Sequence, residues 1–479
     1  MICAEKTLPP PRFRERRKAE LRIFANEDKM GENRTPNLKP RAALSCSASF
    51  YAALMRTALL CALLLCAVLF CGALTGCSEK RENIKIVYWS MWREDEPQAQ
   101  VIAEAAAAFT RENYIDVDIV FKGRDIRTSL ISALDAGEKI DLFDEDIERV
   151  AVFWGEYLLP LDEYAEKAYP GTEGKPYYSV LNKTLYALAK ELGGGSVKNI
   201  PYQPSASVIM YNKDLFAKAG IQRTPKTWSE FLRTCEKLKA IGVPAITVDD
   251  AYMANLFGYN MDRLLGAQAA ADMVRRKNFT GTQVLEFGKI WENMAKKGYI
   301  SPNAASNVWP AGQTEEMARG KAAMYLNGTW LPNEIKELAP DLNWGAFAWP
   351  AMSPKGDGTE ANHYGSQSFA VNKDSRHPEA AFRFIVWLTT GEWDELLAER
   401  TIGIPAGNNT PWPVQLADAR AIVDSTTKRL PWAVGMERNR EINLKIQENF
   451  KKLIRGDLDA ADFAKAMRIE RRHGGNQEF

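Results

Sequence analysis

Strands and helices alternate along residues 84–146. The segments Ile84–Trp89, Val117–Phe121 and Ile140–Phe143 are rich in β-branched and aromatic residues, which predicts strands. Between them, Gln98–Asn113 and Ile126–Ala136 have the apolar spacing of helices. A strand–helix–strand–helix order predicts βαβ units and therefore a parallel sheet with helices packed on it. In such sheets a ligand binds beyond the carboxyl ends of the strands.

The alternation continues toward the C-terminus. Thr227, with Glu230 three residues later, forms a capping box, which predicts that a helix begins there and runs to Ile241. Pro378 can open another helix, because a proline in the first turn loses no needed N–H. Further strands are predicted at 208–211, 243–248 and 321–326, and further helices at 212–219, 283–297, 378–389 and 440–467. The predicted fold class is α/β.

A run of 20 residues without a charge, from Thr57 to Gly76, precedes this region. A helix of that length could cross a bilayer. The preceding Met55-Arg56 and the small residues at its end are instead typical of a secretory signal, so a plain membrane anchor is the less favoured alternative. Residues 74–77, LTGC, resemble the lipobox of bacterial lipoproteins. This resemblance implies a signal peptide at 55–76, a lipid on Cys77, and a tether at 77–83.

Residues 1–54 precede the predicted signal and show no sustained periodicity. They contain Pro9-Pro10-Pro11 and a basic cluster from Arg12 to Arg22. Because a signal peptide belongs at an N-terminus, we predict that translation starts at Met55 and that 1–54 is a spurious or disordered extension. Removal of residues 1–76 would leave 403 residues, a length that favours two or more lobes over a single hydrophobic core.

Processing before Cys77 also changes the charge and the cysteine count. Residues 1–76 hold twelve of the 62 Lys and Arg and six of the 61 Asp and Glu, so the remaining chain has a net charge of −5. No basic patch stands out, which argues against a nucleic-acid partner. Five of the seven cysteines lie upstream, so only Cys235 would remain beside Cys77 and no intramolecular disulfide could form. Three widely spaced histidines offer no metal framework, and we predict neither a metal nor a cofactor.

Four sequence blocks carry a family resemblance. They lie in order at 201–231, 315–330, 365–382 and 403–405, and they include YNKDLFAKAGI, ARGKAAMYLNGTW, GSQSFAVNKDS and GIP. The ordered set resembles the signature of bacterial extracellular solute-binding proteins of the maltose-binding type. The resemblance covers roughly residues 85–467.

The resemblance implies a type II periplasmic-binding-protein-like fold, in which two hinge-linked lobes close on a ligand in the cleft between them. It places the chain crossings between lobes near Gln203–Ser205, Asn362–Ser366 and Thr410–Pro413. The N-terminal lobe is then expected at 84–204 plus 364–412. The C-terminal lobe is expected at 205–363 plus 413–479.

The function that the resemblance implies is binding, not catalysis. A monomeric lipoprotein, anchored outside the cytoplasmic membrane, would bind a mono- or oligosaccharide and present it to the permease of an ABC importer. One alternative is a secreted glycoside hydrolase, with Asp144 or Asp146 acting against Asp249 or Asp250 across a sugar. Another is a sugar-sensing partner of a membrane receptor. The sequence contains no other catalytic motif that would favour an enzyme.

Aromatic residues are the first candidates for the ligand site, because their faces can stack on the C–H faces of sugars. Trp330 lies in the second block and matches the family position that packs on a sugar ring. Trp89 and Trp92 follow the first strand, and Tyr202 and Tyr252 lie at predicted strand ends. Trp309 is equally compatible with packing and with binding. Four tryptophans in predicted helices are expected in the core: Trp228, Trp291, Trp387 and Trp393.

Polar candidates follow the predicted strands. Asp144 and Glu145 come just after the third strand, where the family resemblance implies hydrogen bonds to substrate hydroxyls. Their alternative role is that of solvated carboxylates at a helix N-terminus. Asp250 occupies a similar place in the other expected lobe. Gly365 and Ser366, at the second expected crossing, complete the predicted ligand-binding set.

Overall fold

A computed structural model describes residues 84–469. The predicted extension at 1–54, the signal peptide, the lipid attachment site Cys77 and the tether therefore lie outside the described residues. Within residues 84–469, every helix is too short or too polar to span a bilayer.

The described chain alternates between strands and helices, as the sequence predicts. The strands are β1 (Ile84–Ser90), β2 (Ile115–Phe121), β3 (Leu142–Asp146), β4 (Ile200–Ala206), β5 (Ile209–Asn212), β6 (Ile246–Thr247), β7 (Met324–Leu326), β8 (Trp344–Phe347), β9 (Ala361–Val371) and β10 (Lys428–Leu430). The α-helices are α1 (Pro97–Asn113), α2 (Ile126–Asp135), α3 (Ile147–Phe153), α4 (Asp162–Ala165), α5 (Lys183–Leu192), α6 (Lys213–Lys218), α7 (Trp228–Ala240), α8 (Met253–Leu265), α9 (Ala267–Arg275), α10 (Thr282–Lys296), α11 (Ala311–Ala318), α12 (Leu331–Ile335), α13 (Pro378–Thr389), α14 (Gly391–Thr401), α15 (Ala417–Ser425), α16 (Arg440–Arg455) and α17 (Ala460–Ala466).

The first sheet contains six strands. β1 pairs in parallel with β2 on one side and with β3 on the other, which confirms the predicted βαβ order. β9 runs antiparallel to both β3 and β4. The sheet is therefore mixed and not wholly parallel as predicted, because β9 re-enters it from the opposite direction. The first three residues of β9 pair instead with β10.

The second sheet has four strands in the order β6-β7-β5-β8. It lies against a separate core that includes Phe231, Phe257, Trp291 and Phe450, whereas the first sheet packs on a core that includes Phe109 and other residues of α1 and α13. Trp291 is fully buried, as predicted. Trp228, Trp387 and Trp393 are partly buried and pack against these two cores.

The chain passes between the two sheets more than once. β4 belongs to the first sheet, and β5 enters the second only three residues after β4 ends. β9 begins beside β10, whose Leu430 packs in the second core, and ends beside β3 in the first sheet. The two-lobe α/β fold is thus confirmed, whereas the residue limits of the lobes remain predictions.

Local signals in the sequence set most helix boundaries. The capping box of Thr227 and Glu230 opens α7 as predicted, and Pro378 occupies the first turn of α13. The predicted helix at 440–467 is in fact two helices, because Gly456 adopts a left-handed φ of 85° and ends α16. α8 was not predicted, since almost all of its residues are buried and an apolar face cannot be distinguished.

Candidate functional site

We call the lobe built on the first sheet the first lobe and the lobe built on the second sheet the second lobe. A buried aspartate of the second lobe organises one wall of the candidate site. Asp249 follows β6 and accepts hydrogen bonds from the backbone N–H groups of Ala251, at 2.8 Å, and Tyr252, at 3.1 Å. The hydroxyl of Tyr325 in β7 also donates to it. Burial raises the pKa of Asp249 to about 6 although all three bonds favour its ionised form. Asp249 thereby fixes the start of α8 and the position of Tyr252.

Three aromatic rings, Tyr252, Trp330 and Trp432, form what we call the aromatic wall. The Nε1 of Trp330 donates to the hydroxyl of Tyr252 at 3.0 Å, and the two rings are stacked with centroids 6.3 Å apart. The centroid of Trp432 lies 5.8 Å from that of Trp330 and 6.1 Å from that of Tyr252. Trp330 and Trp432 are both half-buried, so part of each ring remains accessible.

Trp309 and Glu334 lie beside the aromatic wall. Trp309 is 42% exposed, and its backbone N–H donates to Asp250 at 3.1 Å. Glu334 is one helical turn beyond Trp330. Burial and the negative charge of Asp249 raise the pKa of Glu334 to about 8, and hydrogen bonding to Trp309 lowers it only partly. This carboxyl is therefore largely protonated at neutral pH and can donate a hydrogen bond.

The first lobe contains a matching cluster around Asp144. Asp144 and Glu145 lie inside β3 and not just after it as predicted, because the strand extends to Asp146. Asp144 accepts hydrogen bonds from the hydroxyl of Tyr88 and the N–H of Met91, both at 2.9 Å, and from the hydroxyl of Tyr202. The Nε1 of Trp92 donates to the same Tyr202 hydroxyl at 2.8 Å. Burial raises the pKa of Asp144 to about 6. The carboxylate of Asp144 and the ring of Tyr202 are fully buried.

Trp89 and Trp92 are also buried, and each lies under a cation. The Nζ of Lys122 is 3.7 Å from the Trp89 ring centroid, and the guanidinium of Arg124 is 4.9 Å from the Trp92 ring. These contacts hold β2 and the following turn against the end of β1. Their predicted role in ligand binding remains a prediction.

Glu145 holds two guanidinium groups at the surface of the first lobe. It is fully buried, and its Oε1 accepts from Arg127 Nε at 2.8 Å and Nη2 at 2.7 Å. Its Oε2 lies 3.1 Å from Arg149 Nε. The side chains of Arg127 and Arg149 are 41% and 36% exposed. Glu145 is therefore a support for two arginines.

Charged residues also link α3 to the segment after β10. Glu148 in α3 pairs with Arg429 of β10 and, at 3.3 Å, with Arg438. The Nε1 of Trp432 donates to Glu437 at 2.9 Å. Burial raises the pKa of Glu437, and the positive charges of Arg127 and Arg149 oppose that rise.

The remaining predicted residues lie where β9 passes between the sheets. Gly365 pairs with Ser205 of β4, and a Cβ at Gly365 would lie 3.0 Å from the ring of His363. Ser366 is buried, and its hydroxyl has no hydrogen-bond partner among residues 84–469. Both residues lie in β9, and their predicted role in ligand binding remains a prediction.

The structure brings Asp250, Tyr252, Trp309 and Trp330 together on one wall and separates them from the Asp144 cluster. The sequence analysis missed Trp432, Glu437, Arg127 and Arg149. Trp432 precedes three residues with positive φ, Ala433, Val434 and Gly435, so no periodic pattern identified that segment. In residues 84–469 no three His, Cys, Asp or Glu side chains are grouped as a metal site would require.

The model of the family described as bacterial extracellular solute-binding protein matches residues 93–395. The multiple sugar-binding protein of Streptococcus mutans is 24% identical over 322 residues, which is 65% of this chain and 72% of that protein. The sn-glycerol-3-phosphate-binding periplasmic protein of Escherichia coli is 28% identical over 212 residues, 41% of this chain and 46% of that protein. A binding protein of Brucella abortus is likewise matched over only 48% of its length, so the chain spans about half of several curated relatives.

Solved structures support the same fold. The crystal structure of the binding protein MsmE of Bacillus subtilis superposes with a TM-score of 0.65 at 20% identity, covering 81% of this chain and 96% of that one. At this identity the likeness concerns the fold alone. The family match, by contrast, covers more than half of the sequence and includes β2 to β9 and the aromatic wall's Tyr252 and Trp330. The chain belongs to the bacterial extracellular solute-binding proteins.

Proposed function

We propose that this protein binds a carbohydrate between its lobes and delivers it to the permease of an ABC importer. The observation that carries the proposal is the aromatic wall, because accessible stacked rings offer a flat apolar surface. The C–H faces of a sugar ring can pack on such a surface. No step of this function requires a cofactor or a covalent intermediate.

The polar groups beside the aromatic wall suit the hydroxyl rim of a sugar. Protonated Glu334 can donate a hydrogen bond, and the half-buried carboxylate of Asp250 can accept one. From the first lobe, the free N–H groups of Arg127 and Arg149 can donate. A ligand that contacts both lobes would bind the closed arrangement more tightly and shift the population toward it.

Some of the similar proteins are named for this class of ligand. One relative is named a multiple sugar-binding protein, and solved structures of similar fold include the protein RafE in complex with raffinose. Family membership places the protein outside the cytoplasm. We propose that Cys77 carries a lipid that anchors it as a monomer to the cell membrane, after cleavage of a signal that starts at Met55. The proposed lobes are 84–204 with 364–412, and 205–363 with 413–479.

The hydrolase alternative is weakened by the geometry around Asp144. A glycosidase needs two carboxyls that both reach the sugar. Asp144 is fully buried and its oxygens already accept three hydrogen bonds. Its separation from Asp249 would also change whenever the two lobes moved.

A thermal-shift screen tests the proposal directly. Ligands that bind only the folded state raise the melting temperature. The panel contains raffinose, xylotriose, chitotriose, glucose and galactose, with spermidine and glycerol as non-sugar controls. We expect at least one sugar to stabilise the wild-type chain and the Trp330→Ala variant to respond less. Stabilisation by spermidine with no response to any sugar would overturn the carbohydrate assignment.

A further inference from the structure

Trp432, one ring of the aromatic wall, is presented by a strained segment of backbone. Ala433 and Val434 follow it with φ of 49° and 55°, in the left-handed region that residues with a side chain rarely adopt. The next residue, Gly435, also has a positive φ. Such conformations persist only where surrounding contacts hold them. The orientation of the Trp432 ring therefore depends on what packs against this segment.

One contact with this segment comes from α8. At Gly258 a Cβ would lie 2.3 Å from the carbonyl oxygen of Ala433, so only glycine lets the helix and the segment approach this closely. A second contact comes from His363 in β9, whose ring stands edge-on to that of Trp432, with centroids 5.2 Å apart and planes at 82°. Burial and the positive charge of Arg429 lower the pKa of His363 to about 3, so the ring is neutral at physiological pH.

His363 also contacts residues 207–208, where the chain passes from β4 of the first sheet to β5 of the second, and which we call the crossing. The hydroxyl of Ser207 is 3.1 Å from the Nδ1 of His363, and its N–H donates to the carbonyl of His363 at 3.3 Å. The hydroxyl of Tyr259 in α8 donates to the carbonyl of Ser207 at 3.0 Å and accepts from the N–H of His363 at 2.9 Å. All three residues are buried. One buried histidine therefore touches both a ring of the aromatic wall and the crossing.

We propose that His363 is a positioning residue, which holds the Trp432 ring in the aromatic wall and connects it to the crossing at Ser207. The inference rests on the proposed carbohydrate function and deepens it by naming how the ligand surface and the movement of the lobes are coupled. With His363 in place, the Trp432 ring is ordered before a sugar arrives, so binding does not have to order it. A lobe movement that displaces Ser207 also displaces His363 and, with it, the ring of Trp432. A ligand that favours one position of the ring therefore favours one arrangement of the lobes.

The first test needs no ligand. The chain is labelled with fluorotryptophan, and the fluorine NMR resonance of Trp432 is assigned by its loss in Trp432→Phe. We expect this resonance to broaden or split in His363→Ala, because the indole loses the ring beside it and takes more than one orientation. His377→Ala, at a half-buried histidine that precedes α13 in the first lobe, is the matched control and should leave the resonance unchanged. A single sharp Trp432 resonance in His363→Ala would overturn the inference.

The second test measures, by isothermal titration calorimetry, the affinity for the sugar found in the thermal-shift screen. His363→Ala should bind it about two- to tenfold more weakly, because binding must then order the Trp432 side chain. In a Trp432→Ala background the same substitution should change the affinity by less than about twofold, since His363 acts through that ring. A merely structural role would lower the melting temperature of His363→Ala without this dependence on Trp432. An unchanged affinity, or an equal loss in both backgrounds, would overturn the positioning role.

Ser207→Ala tests the connection to the crossing without removing the histidine ring. It deletes a single hydroxyl, so the variant should remain folded. Small-angle X-ray scattering measures the radius of gyration with and without a saturating amount of the same sugar. The wild type and the matched control Ser368→Ala, at a buried serine of β9, should become more compact with the sugar, and Ser207→Ala should do so less.

The outcomes separate this inference from the proposed function. An equal change in the radius of gyration of Ser207→Ala and wild type would overturn the connection between the aromatic wall and the crossing. Failure of the wild type to bind any sugar would overturn the proposed function instead. In that case the fluorine resonance of Trp432 would still decide whether His363 positions the ring.

Discussion

The two lobes contain nearly the same arrangement of side chains, and they use it differently. In the first lobe, Asp144 accepts from Tyr202, whose hydroxyl also accepts from Trp92. In the second lobe, Asp249 fixes Tyr252 through its backbone N–H, and the Tyr252 hydroxyl accepts from Trp330. Burial raises the pKa of both aspartates to about 6.

The difference lies in what covers each cluster. Trp92 and Tyr202 are buried in the first core, and Tyr202 stacks on Phe369 with centroids 3.9 Å apart. Trp330 packs on Tyr252 and Trp432 but is only half-buried, so part of its ring remains accessible. An aspartate–tyrosine–tryptophan group is therefore not by itself a binding site. We propose that exposure of the terminal ring lets the second-lobe group contact a ligand, whereas the buried first-lobe group stabilises the fold.

The largest expected effect distinguishes the clusters by stability. Trp92→Ala should lower the free energy of unfolding by about 3 kcal/mol, because a buried indole and its bond to Tyr202 are lost. Trp309→Ala, at a 42% exposed position, should cost less than about 1 kcal/mol. Urea unfolding measures both. We call the group of Asp144, Tyr202 and Trp92 the sealed cluster and the group of Asp249, Tyr252 and Trp330 the open cluster. Equal costs would contradict the contrast between them.

The second effect is a pH dependence of stability that originates in the sealed cluster. The pKa of Asp144 in the folded protein, about 6, lies above its ordinary value of 3.8. Between these two pH values the folded state binds a proton that the unfolded state releases. The contribution of Asp144 to the free energy of unfolding therefore falls as the pH rises from 3.8 to 6. Asp144→Asn removes that loss. The stability of the variant relative to wild type should therefore rise by on the order of 2 kcal/mol between pH 4 and pH 7.

Urea unfolding of both proteins at several pH values between 4 and 7 measures this difference. The control is Asp118→Asn, because Asp118 is a half-exposed residue on β2 whose partner Lys85 is itself 60% exposed. Its relative stability should change little over the same range. If the difference in unfolding free energy between Asp144→Asn and wild type does not change with pH, Asp144 is not desolvated.

The third effect concerns the open cluster. Trp330→Ala should weaken binding of the sugar found in the thermal-shift screen by more than about 1 kcal/mol, since a stacking surface is removed. Trp393→Ala is the matched control, because Trp393 packs partly buried on α14 in the first core, away from the aromatic wall. Calorimetric affinities decide the outcome. An unchanged affinity in Trp330→Ala would exclude Trp330 from the ligand site.

The smallest effect is spectroscopic. A bound sugar should change the tryptophan fluorescence of the wild type through Trp330 and Trp432, because these rings are partly accessible. Trp330→Phe should reduce the ligand-dependent change, whereas Trp92→Phe should preserve it since Trp92 is buried. A signal that disappears in Trp92→Phe instead would assign the ligand to the first-lobe cluster.

Much of the fold could be predicted because it depends on short-range patterns. The strands β1 and β2, the helix α1, the capping box at Thr227 and the proline start of α13 all follow from spacing and caps. The reversal of β9 could not be predicted, because it depends on the path of the chain through the other lobe. The short length of β6 depends likewise on its parallel partner β7.

The candidate site was predicted only in part. Tyr252, Trp309 and Trp330 lie together as a group, but Trp432 and Glu437 come from a segment about a hundred residues further along the chain. Residue type identified the aromatic and acidic candidates. It could not separate Trp92 from Trp330, because both are tryptophans at the end of a strand and differ only in what packs over them.

The sequence alone determined the alternating α/β elements, the family blocks and the residue types available for binding, since these depend on neighbours along the chain. The tertiary structure decided which acidic and aromatic group is sealed and which is open. It also decided that Glu148 of α3 pairs with Arg429 and Arg438. Those outcomes depend on burial and on contacts between residues far apart along the chain, which local sequence patterns do not encode.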